Sequence, residues 1–402
     1  MPLETSDNST SAAINALAMA QKIMRDFAAR TGLSPASATP RRYLWTDAFA
    51  VCNYLELYRQ SCDEAFKELA LALVDQVHNI LGRYRHDDPR RGWISGLDEA
   101  EGRLHPTAGG LRIGKKLNER GIADPVDADL EWEQDGQYYH YLTKWMHALN
   151  LVSTVTSEPL YNVWAKELAR AVHAGFVVDL GGQLYIPWKM SIDLSRPLVP
   201  AMGQHDPLDG FVTYHQLQAC GPRDEGNVQQ PDLDWEIREL ESICRGRNWA
   251  TDDALGIGGL LCNAWQTARM IAEGYSMPSA LLPNMLEAAL AGLSSVAGQN
   301  ISVLPADYRL AFRELGLSIG MHAAERLQGL VAEKSTLFAE RGRLSAGLTQ
   351  LPRYKALADD LENFWLAERN REAKTWTDHR DINMVMLATS LAPDGFLGIC
   401  GK

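Results

Sequence analysis

The sequence predicts an all-α fold of about twelve helices, six inner and six outer, and three observations carry that prediction. Apolar residues return at three- and four-residue spacing along nearly the whole chain, the period of an amphipathic helix. The resulting helices alternate between segments with almost no charge and segments with one charged face. Finally, a tryptophan followed by threonine and aspartate recurs at helix starts far apart in the chain: Trp45-Thr46-Asp47, Trp249-Ala250-Thr251-Asp252-Asp253 and Trp376-Thr377-Asp378. Trp132-Glu133-Gln134-Asp135-Gly136 has the same aromatic-then-acid character. Helix starts that share one chemistry point to a ring of helices whose N-terminal ends meet at one rim.

In order, the periodicity places helices at 11–30, 45–60, 63–83, 137–151, 157–177, 208–220, 232–245, 252–274, 284–296, 307–328, 354–371 and 380–391. Those near 45, 137, 208, 252, 307 and 380 are poor in charge, as in Ala48-Phe49-Ala50-Val51-Cys52 and Leu255-Gly256-Ile257-Gly258-Gly259-Leu260-Leu261-Cys262. Helices with so little polar surface are expected to be buried on most sides. The alternate ones, such as Asp63-Glu64-Ala65-Phe66-Lys67-Glu68-Leu69 and Leu357-Ala358-Asp359-Asp360-Leu361-Glu362, carry a charged face for solvent. Strand character is confined to Gln183-Leu184-Tyr185-Ile186-Pro187-Trp188, read as a small hairpin or irregular loop.

Two connections break the economy of short loops. About fifty residues, Arg85 to Gly136, separate the third helix from the fourth, and loops of that length in compact domains are commonly functional. This loop holds Arg90-Arg91-Gly92-Trp93, then His105 to Lys115 with Arg112, and then Glu131 to Tyr141. A second stretch, Gly181 to Asp209, carries Tyr185, Trp188, Lys189, His205 and Asp206 and is placed to face it.

The alternation of helices, over most of the chain, resembles the (α/α)6 toroid of the six-hairpin glycosidase superfamily. The resemblance implies a single domain over 1–402, an inner helical barrel inside an outer one, and an active-site funnel at one end with the 85–136 loop as its wall. It also implies a carbohydrate-active enzyme, foremost a glycoside hydrolase. The toroidal N-acylglucosamine 2-epimerase group is similar in architecture and implies a rival: a cytoplasmic sugar epimerase or isomerase working with histidine acid/base pairs. A catalytically silent toroid that binds a ligand or partner is the third reading.

Glycoside hydrolysis needs two carboxyl groups in an aromatic-lined pocket, one donating a proton and one acting as base or nucleophile. Asp135 is the first choice for the acid, because Gly136 permits close backbone approach and the neighbouring rings would raise its pKa by desolvation. Asp47, Asp252 and Asp253 are the choices for its partner. Trp45, Glu131, Trp132, Gln137, Tyr138, Tyr139, His140, Trp188 and Trp376 are expected to line the substrate, and His105 and Arg112 to meet its polar groups. The plainer reading of Thr46-Asp47 and Thr251-Asp252 is a helix cap, worth about 0.5 to 2 kcal/mol.

The rival mechanism rests on His140, His215, His322 and His379, all on predicted inner helices. His379 lies in Asp378-His379-Arg380-Asp381, where Asp381 or Asp378 would orient it.

Other chemistries are disfavoured. No H-E-x-x-H or G-x-S-x-G is present, and the glycines at 256–259 fall inside a helix, so they read as close helix packing. The six cysteines show no C-x-x-C and read as buried thiols. No metal or cofactor is expected. With 46% hydrophobic and 22% charged residues the chain has material for a large core, and a formal charge of −12 disfavours nucleic acid and anionic membranes as partners. The start, Met1-Pro2-Leu3-Glu4-Thr5, has neither the basic segment nor the apolar run of a secretory signal, so a soluble, cytoplasmic protein with a small sugar-like substrate is expected.

Overall fold

The computed structural model describes residues 5–220, 231–298 and 304–398, with side chains from Ile14 onward. In chain order the helices are α1 (Thr5–Arg30), α2 (Leu44–Ser61), α3 (Glu64–Leu81), α4 (Glu99–Leu104), α5 (Ala128–Glu133), α6 (Tyr139–Thr156), α7 (Leu160–Phe176), α8 (Asp206–Ala219), α9 (Asp234–Cys244), α10 (Ala254–Ala272), α11 (Leu281–Gly298), α12 (Ala311–Glu333), α13 (Arg341–Leu348), α14 (Ala356–Leu366), α15 (Lys374–Asp378), α16 (Arg380–Leu391) and α17 (Asp394–Leu397). The chain is thus predominantly α-helical. Every helix predicted from periodicity is present, with ends shifted by a few residues. The additional ones, α4, α5, α13, α15 and α17, are too short to show a period.

The described residues fall into two compact units. One lies within 1–30, 56–63 and 248–399, the other within 31–55, 64–247 and 400–402.

In the second unit, α7 packs on α6, α9 on α8, and α6 also packs on α8 and α3. The two compositional classes of helix are visible as two burial patterns. Helix α2 is buried without a break from Leu44 to Leu57, and between Tyr139 and Val152 of α6 only His140 and Lys144 are partly exposed. By contrast α3 buries a single stripe, Phe66, Ala70, Leu73, Val74, Val77 and Leu81, and α9 buries Ile237, Leu240 and Ile243.

Short strands complete this unit. β1 (Gln137–Tyr138), β4 (Lys189–Met190) and β5 (Pro197–Val199) form an antiparallel sheet in the order β1-β4-β5. β2 (Val178–Leu180) and β3 (Gln183–Tyr185) form a hairpin, turned by Gly181 and Gly182 at φ +65° and +91°, a conformation glycine adopts without strain. The expected hairpin near 183–188 therefore exists, but its partner strand precedes it.

In the first unit α10 packs along α12, α11 on α10, α14 and α16 on α12, and α1 on α16. The α10–α12 approach is close enough that a Cβ added to Gly258 would lie 2.1 Å from the Gly316 carbonyl oxygen. Gly258 is thus a packing residue, as its place inside a helix predicts, whereas a Cβ on Gly259 would meet nothing within 4 Å.

The cysteine reading needs one correction. Cys52 and Cys262 are buried thiols, but Cys62 is exposed and Cys220 is disulfide-bonded; a disulfide leaves no local C-x-x-C signature. Cys400 lies outside the described residues. None of the described helices is long and apolar enough to cross a membrane.

Candidate functional site

The 85–136 loop is held by buried charge. Arg112 donates from Nη1 to Asp135 Oδ2 at 2.5 Å, from Nε to the Arg83 carbonyl at 2.6 Å and from Nη2 to the Ile80 carbonyl at 2.7 Å. Asp135 is fully buried and also accepts the Gly114 and Gly136 backbone N–H groups at 3.0 and 3.1 Å. Gln137 ties the same loop down, accepting from the Leu111 N–H and donating to the Gly109 and Ile192 carbonyls. Glu131 accepts from Lys189 Nζ at 2.8 Å and Arg120 Nε at 3.1 Å. The partners of Asp135 are thus a guanidinium and two amides, where an acid poised by aromatic desolvation was expected. Asp135, Arg112, Gln137 and Glu131 have the geometry of loop anchors.

Asp47 is likewise engaged, accepting the Tyr43 N–H at 2.8 Å with Arg42 at 3.4 Å, which is the capping role.

At the starts of α2, α6 and α8 the structure gathers a different set. Tyr43 and Tyr141 share a hydroxyl hydrogen bond of 2.8 Å, and Trp45 packs on Phe49 and Tyr141. Tyr138 and His140 both stack on Trp188, with centroids at 5.0 and 6.1 Å and planes 28° and 7° apart. Trp132, 52% exposed, meets Trp188 edge-on at 5.0 Å. Tyr139 is fully buried and meets Phe176 edge-on at 5.4 Å.

His140 and Lys144, the two partly exposed positions between Tyr139 and Val152 of α6, lie four residues apart and share a face. They meet two acids from the first turn of α8: His140 Nδ1 is 3.7 Å from Asp206 Oδ1, and Lys144 Nζ is 3.0 Å from Asp209 Oδ2. His140 Nδ1 and Asp206 Oδ2 are buried atoms with no hydrogen-bond partner among the described residues. Burial, helped by the Asp209 charge, raises the Asp206 carboxyl to about 8; burial, helped by Lys144, lowers the His140 ring to about 4. Near neutral pH the pair therefore consists of a protonated carboxylic acid beside an unprotonated imidazole. Such a couple can give one proton and take another.

The remaining predicted residues are elsewhere. His105 pairs with Glu167 at 2.7 Å in a separate groove of the same unit. Asp252, Asp253, Trp376, His379 and Asp381 belong to the first unit. There the starts of α10, α12 and α16 also come together. Asp253 caps α10 through the Gly256 N–H at 3.0 Å and holds Arg313 at 2.5 Å, and Phe312 packs edge-on against His379 at 5.7 Å. Asp252 and His379 are exposed, Asp381 faces Arg30 at 3.3 Å, and Trp376 is buried against Trp365. The cap of α10 is thus Asp253, one residue beyond the Thr251-Asp252 pair that the plainer reading named.

Sequence reasoning placed Asp206 in a facing stretch without giving it a role, and it passed over Lys144 and Asp209. The available signal was a histidine and, four residues on, the one lysine of a helix otherwise without Asp, Glu, Lys or Arg. In comparisons with known families, curated proteins and solved structures the chain finds no match.

Proposed function

We propose that the protein is an enzyme that moves protons on a free sugar or sugar-like carbonyl compound, an isomerase, built as an (α/α)6 toroid of the six-hairpin kind. The observation that carries this reading is the His140–Asp206 couple, two buried unpartnered polar atoms with opposite proton preference beside an aromatic wall. In the proposed reaction His140 takes a proton from the carbon next to the carbonyl, while Asp206 gives its proton to the carbonyl oxygen, forming an enediol. Return of the proton to the neighbouring carbon, with Asp206 reclaiming one from oxygen, completes the isomerisation. Two groups 3.7 Å apart act from one side of a substrate, which suits transfer between adjacent atoms on one face better than inversion, which requires bases on both faces. Trp188 and Tyr138 would pack on the C–H face of the ring. The toroid is supported by the alternation of burial patterns and by the gathered helix starts within each unit.

Glycoside hydrolysis is the second reading, favoured by Asp206 as a carboxyl kept protonated near neutral pH with Asp209 close by. One experiment separates the two. Purified protein is incubated in D2O with aldoses, ketoses and N-acylated amino sugars, and separately with oligosaccharides, and products are read by NMR. Isomerisation predicts deuterium at the carbon next to the carbonyl, lost in both His140→Gln and Asp206→Asn. Cleavage of an oligosaccharide that survives His140→Gln and is lost in Asp206→Asn would establish the hydrolase instead. If neither reaction occurs with any sugar, both readings fall.

A further inference from the structure

A groove of about 880 Å³ in the second unit, separate from the aromatic site, is lined by α7, α9 and the β2–β3 hairpin. Its charge is unbalanced: Glu167, Asp179, Glu236 and Glu239 are opposed by one arginine, Arg170, which sits 3.7 Å from Glu236. Two histidine–glutamate pairs face into it, His105–Glu167 and His173–Glu239, each at 2.7 Å.

The pairs fix which groups are left over. His173, 5% exposed, uses Nε2 for Glu239, so in its neutral form that nitrogen carries the proton and Nδ1 is a bare acceptor. Nδ1 has no hydrogen-bond partner among the described residues, and neither does the buried Glu167 Oε2. Both orphans are acceptors, and a buried acceptor without a donor is costly, so the groove calls for N–H or O–H donors. Its excess of carboxylates calls for a positive charge on the molecule that brings them. At the rim Trp235, 63% exposed, offers an indole face, the best aromatic platform for a cation. An exposed indole beside carboxylates is a platform that suits an organic cation.

We infer that this groove binds an aliphatic amine carrying more than one ammonium group, with ammonium groups donating to Glu167 Oε2 and to His173 Nδ1 and one lying over Trp235. The volume suits such a molecule, since small-ligand sites span about 300 to 1,000 Å³. The inference stands apart from the isomerase reading, because none of these residues belongs to the His140–Asp206 couple.

The test is calorimetric titration of the full chain with spermidine, with sorbitol as the uncharged polyol. Spermidine binding is expected, sorbitol binding is not, and Glu167→Gln should weaken spermidine at least about tenfold, the worth of one charged hydrogen bond. Trp235→Ala, at an exposed position where folding is not at stake, should also weaken it. Glu287→Gln, at an exposed acid paired with Arg343, should leave it unchanged. His140→Gln should leave it unchanged too, so failure of either proposal is seen separately. Equal losses in Glu167→Gln and Glu287→Gln would mean diffuse attraction to an acidic chain and would overturn the inference. So would unaltered affinity in both Glu167→Gln and Trp235→Ala, or binding of sorbitol in place of spermidine.

Discussion

Replacing Asp206 by asparagine should stabilise the fold while abolishing turnover, and the size of the gain can be worked from the structure. The Asp206 carboxyl, ordinarily at 3.8, is held up to about 8 by burial first and by Asp209 second. Across that interval the folded state keeps a proton that the unfolded state releases, so stability falls as pH rises, by about 1.4 kcal/mol per unit. His140 works in the other direction. Its ring is lowered from 6.5 to about 4, so between those values the unfolded state binds the extra proton and stability rises with pH. From about pH 4 to 6.5 the two slopes cancel; from 6.5 to about 8 only Asp206 contributes, and the wild type should lose about 2 kcal/mol. Asparagine cannot ionise, so the variant should lose none. Near neutral pH, about three units above the ordinary value, the upper limit of its gain is about 4 kcal/mol, reduced by the cost of burying an amide with few partners. Urea unfolding followed by tryptophan fluorescence across this pH range measures both quantities. A variant less stable than wild type at about pH 8, or a wild type with no decline between 6.5 and 8, would refute the reasoning. A residue whose removal stabilises the fold and stops the chemistry is the pattern expected of a strained active site.

Three further outcomes are expected. Asp135→Asn should leave the buried Arg112 guanidinium without its counter-charge and cost about 3 to 5 kcal/mol, with any fall in activity following the unfolded fraction measured by circular dichroism. Trp188→Ala should remove the ring on which Tyr138 and His140 stack, and raise KM for a sugar substrate by about tenfold with a smaller change in kcat, measured by steady-state kinetics. Gly259→Ala, whose new Cβ meets nothing within 4 Å, should raise stability by up to about 1 kcal/mol, whereas Gly258→Ala, directed at the Gly316 carbonyl, should lower Tm in the same thermal scan.

The helices were legible because burial and period act locally. A segment such as α2, buried from Leu44 to Leu57, must be apolar on all sides, and that demand is written into consecutive residues. α3 needs only a stripe and shows only a stripe. The helix starts were legible in the same way, since a cap is a contact between near neighbours, as when Asp253 accepts the Gly256 N–H. The gathering of helix starts was legible one step further, because repeated Trp-acid openings imply repeated positions, and within each unit three of the predicted inner-helix starts come together.

What each acid does at those helix starts was not legible, because its role depends on partners far away in sequence. Neither Asp135, which follows Trp132 a few residues before α6, nor Asp206, which follows His205 at the start of α8, announces its role in the sequence. Arg112, 23 residues from Asp135, supplies a positive charge and makes that carboxylate an anchor. Asp206 has His140, 66 residues away and uncharged, while the nearest cation, Lys144, is taken by Asp209. Burial, with the Asp209 charge beside it, is what leaves Asp206 holding a proton. Identifying an acid catalyst in such a chain therefore means asking which buried carboxyl lacks an arginine, and a local motif does not contain that information.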